Sequence, residues 1–119
     1  MQDKTTILVI DDEIISRRTI EALLESEYTL VFAEDGKQGL ERAYAMVPDL
    51  VLLDVMMKGM NGFEVCRRLR ADFVDLPIVM VTGWSDPVAR TRCLNLGASE
   101  IVSKPFKRDD LCKVINRLL

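Results

Sequence analysis

The chain has 119 residues, of which 49% are apolar and 29% are charged, and this mix predicts one globular domain over residues 1–119. Sixteen Lys and Arg residues against 19 Asp and Glu give a net charge of −3, which argues against binding nucleic acid through surface charge. The chain has no histidine, which excludes a Ser-His-Asp triad, a histidine-ligated zinc and a histidine general base within it.

Short apolar runs alternate with stretches of helical periodicity five times along the chain. In order, they predict a strand at 7–10, a helix near 13–26, a strand at 30–33, a helix over 40–47, a strand at 50–53, a helix over 62–69, a strand at 78–81, a helix near 87–96, a strand at 101–102 and a helix over 111–118. The runs are continuous rather than alternating, which is typical of strands covered on both faces.

This alternation predicts a parallel sheet with right-handed crossovers. The chain is too short for an eight-unit barrel, so the sheet should be open and doubly wound. Helix starts are also marked by local signals, namely Asp35-x-x-Gln38, Asn61-x-x-Glu64 and Asp86-Pro87. In the second predicted helix, the positions at helical spacing are Leu40, Ala43, Tyr44 and Val47.

Polar residues follow four of the five predicted strands directly or within two residues. They are Asp11 and Asp12, with Glu13 next to them, after the first strand, Asp54 after the third, Thr82 after the fourth and Lys104 after the fifth. The carboxyl ends of parallel strands meet at one edge of an open sheet, where sites form. We therefore expect the carboxylates, the hydroxyl and the ammonium to converge there.

The chemistry of this set points to a cation and an anion side by side. Close carboxylates resist ionisation unless a cation joins them, and oxygen ligands favour Mg²⁺, with Mn²⁺ as an alternative. Lys104 and Thr82 suit the oxygens of a phosphoryl group beside the metal. Phosphoryl transfer to an aspartate needs such a combination.

Four segments, in order, resemble the receiver domain of two-component response regulators, the phosphoacceptor domain found in chemotaxis regulators. They are Ile7–Glu13, Leu52–Gly62, Pro77–Gly83 and Gly97–Phe106, and the resemblance extends from Thr5 to Leu119. It implies a flavodoxin-like fold, with five parallel strands in the order 2-1-3-4-5 and helices on both faces. It also implies a phosphorelay switch that takes up and loses a phosphoryl group without being a turnover enzyme.

The resemblance assigns roles around the acidic residues. Asp54 corresponds to the aspartate that accepts a phosphoryl group from a sensor histidine kinase or phosphotransfer protein. Asp11 and Asp12 correspond to the magnesium-binding pair, which Asp54 and the backbone carbonyl of Met56 complete.

The resemblance assigns roles to the other strand-end residues too. Thr82 corresponds to the hydroxyl that moves onto the phosphoryl group, and Lys104 to the lysine that pairs with it. The bond between Lys104 and Pro105 should be cis, which would aim the ammonium inward.

Several positions depart from the family pattern. Ile101 occupies a switch position where many receivers have an aromatic ring, so the aromatic part of the usual switch is not expected. Lys58 stands where proline is frequent and should loosen its loop. Met56 and Trp84 are large and apolar at positions that flank the path of hydrolytic water, and we predict that they prolong the lifetime of the aspartyl phosphate.

The resemblance also suggests partners and a location. The fourth helix, fifth strand and fifth helix would form the output face, whose mixed charge suits either a homodimer or a solvated surface. An output domain in a longer chain is an alternative to a stand-alone regulator. Without an apolar signal or spanning segment, the protein is expected in the cytoplasm, with no membrane contact and with reduced cysteines.

Three other functions remain open. The first is a receiver-like scaffold that is not phosphorylated. The second is a flavoprotein on the same topology, although Asp11 and Asp12 would repel a flavin phosphate. The third is an aspartate-based magnesium phosphatase, although such enzymes carry Asp-x-Asp after the first strand.

Overall fold

The computed structural model describes residues 4–83 and 86–119, and within these ranges strands and helices alternate along the whole chain. The elements are β1 (Thr6–Ile10), α1 (Ile14–Leu24), β2 (Thr29–Ala33), α2 (Gly36–Met46), β3 (Leu50–Asp54), α3 (Gly62–Asp72), β4 (Ile78–Thr82), α4 (Pro87–Asn95), β5 (Glu100–Ser103) and α5 (Arg108–Leu118). All strand pairs are parallel, in the order β2-β1-β3-β4-β5. The predicted doubly wound sheet is therefore confirmed.

The sheet is covered by helices on both faces. Ile7 and Val9 of β1 lie in one apolar cluster with residues of α1 and α5. Leu8 and Ile10, whose side chains point the opposite way, lie in the other cluster with residues of α2, α3 and α4. Covering both faces explains why the strand sequences are continuous apolar runs rather than alternating ones.

The edge strand β2 departs from this expectation. Thr29 is exposed and residues 30–32 are only half-buried, whereas β3 and β4 are buried throughout. β2 has a neighbour on one side only, in β1. Its apolar run therefore indicated the strand correctly but overstated how deeply the strand is buried.

Helix α2 also buries less than its periodicity predicted. Leu40 and Ala43 are buried, but the side chains of Tyr44 and Val47 are 51% and 60% exposed. Val47 has a positive φ of 42° and ends the helix, so it no longer follows the helical spacing. Tyr44 lies beside the ring of Phe73, the residue directly after α3, with ring centroids 5.5 Å apart, at the rim of the core rather than in it.

The predicted helix starts have the expected caps. Side-chain oxygens of Asp35, Asn61 and Asp86 accept hydrogen bonds from backbone amides three residues later, at 2.8, 3.1 and 2.8 Å. These caps fix where α2, α3 and α4 begin and therefore how long the loops before them are.

Within the described parts of the chain, no helix is both long and apolar enough to span a bilayer.

Candidate functional site

Four carboxylates meet where β1 and β3 end. Asp11 follows β1 and Asp54 is the last residue of β3, and both are buried, with 2% and 4% of their surface exposed. One carboxylate oxygen from each of Asp11, Asp12, Glu13 and Asp54 lies within 4.8 Å of the others. The structure thus brings together the three aspartates predicted as metal ligands and Glu13, which lies on the exposed side of the cluster.

Backbone amides orient the aspartates. The amide of Glu13 donates to Asp11 Oδ1 at 2.9 Å, and the amide of Met56 donates to Asp54 Oδ1 at 3.3 Å. The amide of Lys58 donates to Asp12 Oδ2 at 3.1 Å. Each bond holds a carboxylate that sequence analysis placed in the metal site.

The bond from Lys58 corrects the expectation of a looser loop. Proline, which is frequent at this position in the family, has no backbone N–H and could not donate to Asp12. Lys58 therefore tethers the loop after β3 to the loop after β1, while its side chain is exposed to solvent.

Lys104 brings a positive charge to the cluster. Its Nζ lies 3.2 Å from Asp11 Oδ2 and 3.8 Å from Asp54 Oδ1, and it donates to Ser16 Oγ at 3.2 Å. The Lys104–Pro105 peptide bond is cis. The backbone amide of Lys104 donates to the carbonyl of Thr82 at 2.7 Å, which places Thr82, buried at the end of β4, beside the lysine.

Burial and negative charge dominate the electrostatics at Asp54. Burial, and after it the carboxylate of Asp11, raise the pKa of Asp54 to about 6, although Lys104 and the amide of Met56 lower it. Lys104 therefore does not offset the cost of ionising Asp54 in this position. An added cation would remove that cost.

The donor set fits a hard divalent cation. The clustered ligand atoms are carboxylate oxygens, two of them from buried residues, and such ligands suit Mg²⁺ or Mn²⁺ rather than a softer metal. Asp11, Asp12 and Asp54 could hold the ion. The amide of Met56 already bonds to Asp54, so the backbone of Met56 runs beside the cluster.

Sequence analysis missed the part that Gly62 plays at the site. A Cβ atom on Gly62 would lie 2.2 Å from the carbonyl oxygen of Asp54 and 2.7 Å from Cα of Val55, so only glycine fits. The amide of Gly62 also donates to the carbonyl of Val55 at 2.9 Å. A glycine directly after a cap, where a helix former is usual, was the available signal.

The positions predicted to tune or relay the switch lie in different surroundings. Met56 is 63% exposed and borders an open cleft of about 830 Å³ beside Asp12. Ile101 is buried in β5. Trp84, the other residue predicted to affect lifetime, lies outside the described residues.

Charged groups on the predicted output face pair within the chain. Glu100, the first residue of β5, bonds to Arg90 of α4 at 3.4 Å and to Arg117 of α5 at 2.5 Å. Arg92 of α4 lies over the ring of Phe63, 4.0 Å from its centroid. The two pairs of Glu100 join the three elements of that face, whereas the contact of Arg92 joins α4 to Phe63 of α3.

Known proteins resemble nearly the whole of the chain. Residues 7–116 match the family model described as the response regulator receiver domain. Response regulator ArlR of Staphylococcus saprophyticus is 39% identical over 97% of this chain and 52% of its own length. The probable transcriptional regulator ycf27 of Cyanophora paradoxa is 42% identical over 98% of this chain and 49% of its own length. The chain thus spans about half the length of these curated relatives.

A solved structure agrees with the sequence comparison. Chemotaxis protein CheY4 of Vibrio cholerae superposes with a TM-score of 0.92 and 29% identity, covering 98% of this chain and 99% of that one. Receiver domains are regulatory switches of two-component systems rather than turnover enzymes. From the family match, the relatives and the shared fold, we conclude that this chain belongs to the response regulator receiver domain family.

Proposed function

We propose that Asp54 accepts a phosphoryl group from a histidine of a sensor kinase or phosphotransfer protein in a magnesium-dependent reaction. One observation carries this proposal: the buried carboxylate of Asp54 lies within 4.8 Å of three other carboxylate oxygens and 3.8 Å from the ammonium of Lys104. Such a site can gather a cation and a phosphoryl group around one nucleophile.

In the proposed step, a carboxylate oxygen of Asp54 attacks phosphorus. A P–O bond forms, the P–N bond to the partner's histidine breaks, and the bond's electron pair stays on the histidine nitrogen. Lys104 is close enough to follow the phosphoryl oxygens, and the hydroxyl of Thr82 can donate to another of them. Mg²⁺ held by Asp11, Asp12, Asp54 and the carbonyl of Met56 would neutralise part of the charge of the phosphoryl group.

Loss of the phosphoryl group requires water at the same site. We propose that Met56 and Trp84 restrict this water and so lengthen the lifetime of the aspartyl phosphate. Met56 borders the open cleft beside Asp12, where water reaches the cluster. Met56→Asn and Trp84→Glu should each speed the decay of the phosphoprotein measured by intact mass, and unchanged decay in both would contradict a shielding role.

The output belongs to α4, β5 and α5. The amide of Lys104 donates to the carbonyl of Thr82. A movement of Thr82 toward a phosphoryl group would therefore shift Lys104 and the end of β5, which directly precedes it. Ile101 supplies no aromatic ring to this relay. A homodimer through this face would compete with the pairs that Glu100 forms within the chain.

We place this exchange in the cytoplasm, with residues 1–119 acting as one receiver domain. The curated relatives are about twice as long, which supports an output domain in a longer protein.

The direct test is intact-mass spectrometry after incubation with Mg²⁺ and acetyl phosphate. The wild-type protein should gain a single phosphoryl adduct, and Asp54→Asn or added EDTA should abolish it. Acetyl phosphate does not serve every receiver, so a protein without adduct is next titrated with Mg²⁺ and beryllofluoride, following tryptophan fluorescence. No adduct and no fluorescence response would favour the alternative of a scaffold that is not phosphorylated.

A further inference from the structure

The position of the Lys104 ammonium is fixed by more than the carboxylates. A lysine side chain is a flexible stem of four carbons, and its charge acts as a point that must be held in place. Among the residues that the structure describes, Nζ has two hydrogen-bond partners at equal distances, Asp11 Oδ2 and Ser16 Oγ, both at 3.2 Å. Ser16 is the third residue of α1, in the first turn of the helix, and is half-buried.

The geometry leaves one donor of the ammonium for the reacting group. An ammonium has three N–H donors, of which Asp11 and Ser16 take two. Asp54 Oδ1 lies at 3.8 Å, which is beyond hydrogen-bond distance. The third donor is therefore available to an oxygen of a phosphoryl group on Asp54.

The two anchors differ in charge and in what else they do. Asp11 also belongs to the carboxylate cluster that would hold the metal, so its oxygens are shared. Ser16 is neutral, lies outside that cluster, and adds no negative charge near the phosphoryl group. It sits one turn before Ile20, which is buried and fixes α1 against the sheet.

We infer that Ser16 is a positioning residue for Lys104: its hydroxyl holds the ammonium at the distance from which it reaches a phosphoryl group on Asp54. This inference rests on the proposed function. Lys104 Nζ already lies 3.2 Å from Ser16 Oγ and 3.8 Å from Asp54 Oδ1, so this arrangement requires no movement of α1.

The first experiment measures the rate of phosphorylation by acetyl phosphate with Mg²⁺ in four proteins. Ser16→Ala should be slower than wild type by about three- to tenfold, the loss expected for one hydrogen bond to a charged group that is partly exposed. Ser16→Thr keeps the hydroxyl and should recover most of the rate. Thr19→Ala is the matched control. Thr19 lines a surface cavity together with Ser16 and Lys104, but its hydroxyl donates to the carbonyl of Ile15 and not to Lys104.

A second experiment measures how firmly the ammonium of Lys104 is held, and it requires no phosphorylation. In metal-free protein, an amine-reactive ester labels Lys104 and the exposed Lys58, and peptide mass spectrometry gives the ratio of the two rates. Ser16→Ala should raise the ratio about threefold, because the freed ammonium is more accessible, whereas Thr19→Ala should leave it unchanged. The other lysines are exposed already and would not report a general loss of stability. Urea unfolding of Ser16→Ala and Thr19→Ala therefore accompanies the labelling, and equal midpoints assign the change in ratio to the lost anchor.

The two experiments separate the claims. If wild type is phosphorylated and Ser16→Ala reacts equally fast, the positioning role is wrong and the proposed function stands. If wild type shows neither a phosphoryl adduct nor a response to Mg²⁺ and beryllofluoride, the proposed function fails. An unchanged labelling ratio in Ser16→Ala would overturn the anchor, whether or not wild type is phosphorylated.

Discussion

The buried aspartate at the end of β3 is an unfavourable residue for stability without a cation. Asp54 has 4% of its surface exposed, and burial together with the charge of Asp11 raises its pKa to about 6. In the unfolded chain the same carboxyl titrates near its ordinary value of 3.8. The folded state therefore binds this proton more tightly than the unfolded state, and ionisation lowers the free energy of unfolding.

Replacing Asp54 by Asn should therefore stabilise the metal-free protein in a pH-dependent way. The gain should be small near pH 4, grow between pH 4 and 6, and level off above pH 7 at about 3 kcal/mol or less. Urea unfolding in EDTA at several pH values measures it. Asp75→Asn, at an exposed position, serves as the control and should change little.

Magnesium should reduce the difference in stability between the two proteins. An ion that binds only the folded state stabilises it by an amount that grows with the logarithm of its affinity, and Asp54→Asn removes one ligand charge. Wild type should gain more from millimolar Mg²⁺ than the variant does. An equal gain in both proteins, or a variant less stable than wild type in EDTA at pH 8, would contradict a carboxylate cluster of this kind.

For individual residues, the sequence predicted which side chains gather at the site better than it predicted which atoms contact each other. Asp11, Asp54 and Lys104 could be placed at one edge because each follows a recognisable strand. The contact between Ser16 and Lys104 could not be predicted, because it depends on how closely α1 approaches the residues that follow β5. The hydrogen bond from the Lys58 amide to Asp12 was not predicted, because every residue except proline has a backbone N–H and the sequence does not show which of them meets an acceptor.

Among the elements, the connection from β3 to α3 is the most tightly constrained. It must turn from Asp54 into a helix that returns against the sheet, and Gly62 lies where the helix begins, against the carbonyl of Asp54. Gly59, in the same connection, has a positive φ of 73° but open space around it. Gly62 is therefore required by the close approach of backbone atoms, and Gly59 by its left-handed backbone conformation.

Gly62→Ala should destabilise the protein more than Gly59→Ala does. At Gly62 the added methyl group collides with backbone atoms that cannot easily move, at a cost of about 3 kcal/mol. At Gly59 only the left-handed conformation is penalised, at about 1 kcal/mol. Thermal unfolding of both variants measures the difference, and equal destabilisation would show that the close approach at Gly62 does not exist.

Element positions followed from the sequence more reliably than element faces. The apolar run at 78–81 marks β4 to within one residue because a strand covered on both faces allows few polar residues. The helical spacing predicted that Tyr44 and Val47 would be buried, and they are exposed. Helix α2 buries only a narrow stripe of residues, in which Gly39 lies against Ile10. Which part of a helix meets the sheet depends on tertiary packing, which local periodicity does not contain.

For the whole molecule, the two apolar layers predict how its thiols react. Cys66 and Cys93 are buried in the layer of α2, α3 and α4, whereas Cys112 of α5 is half-buried. Burial raises the pKa of Cys66 to about 11, and it raises the pKa of Cys93 as well. At pH 8 the Cys66 thiol would be ionised in only about one molecule in a thousand.

A thiol reagent at pH 8 should therefore modify the native protein slowly and first at Cys112. All three cysteines should react quickly in denaturant, and the difference reports the integrity of the layer. Time-resolved reaction followed by peptide mapping gives the order of modification. Early modification of Cys66 or Cys93 under native conditions would contradict the packing of α3 and α4 described above.

The overall architecture was the easiest property to predict. Five repeats of apolar run and helical stretch leave few topologies once right-handed crossovers and short loops are required. The strand order came from the resemblance to receiver domains, and the structure has the same order. The partner in the proposed phosphoryl transfer would be selected by surface side chains, and the alternation of strands and helices carries no information about it.

The central claim, that Asp54 is the phosphoacceptor, is tested most directly by trapping the acyl phosphate with borohydride. The reagent reduces an aspartyl phosphate to homoserine, so peptide mass spectrometry identifies the residue that carried the phosphoryl group. After incubation with Mg²⁺ and acetyl phosphate, homoserine should appear at position 54 alone and should be absent when Mg²⁺ is omitted. Homoserine at position 11 or 12, or a phosphoprotein without conversion at position 54, would contradict the account.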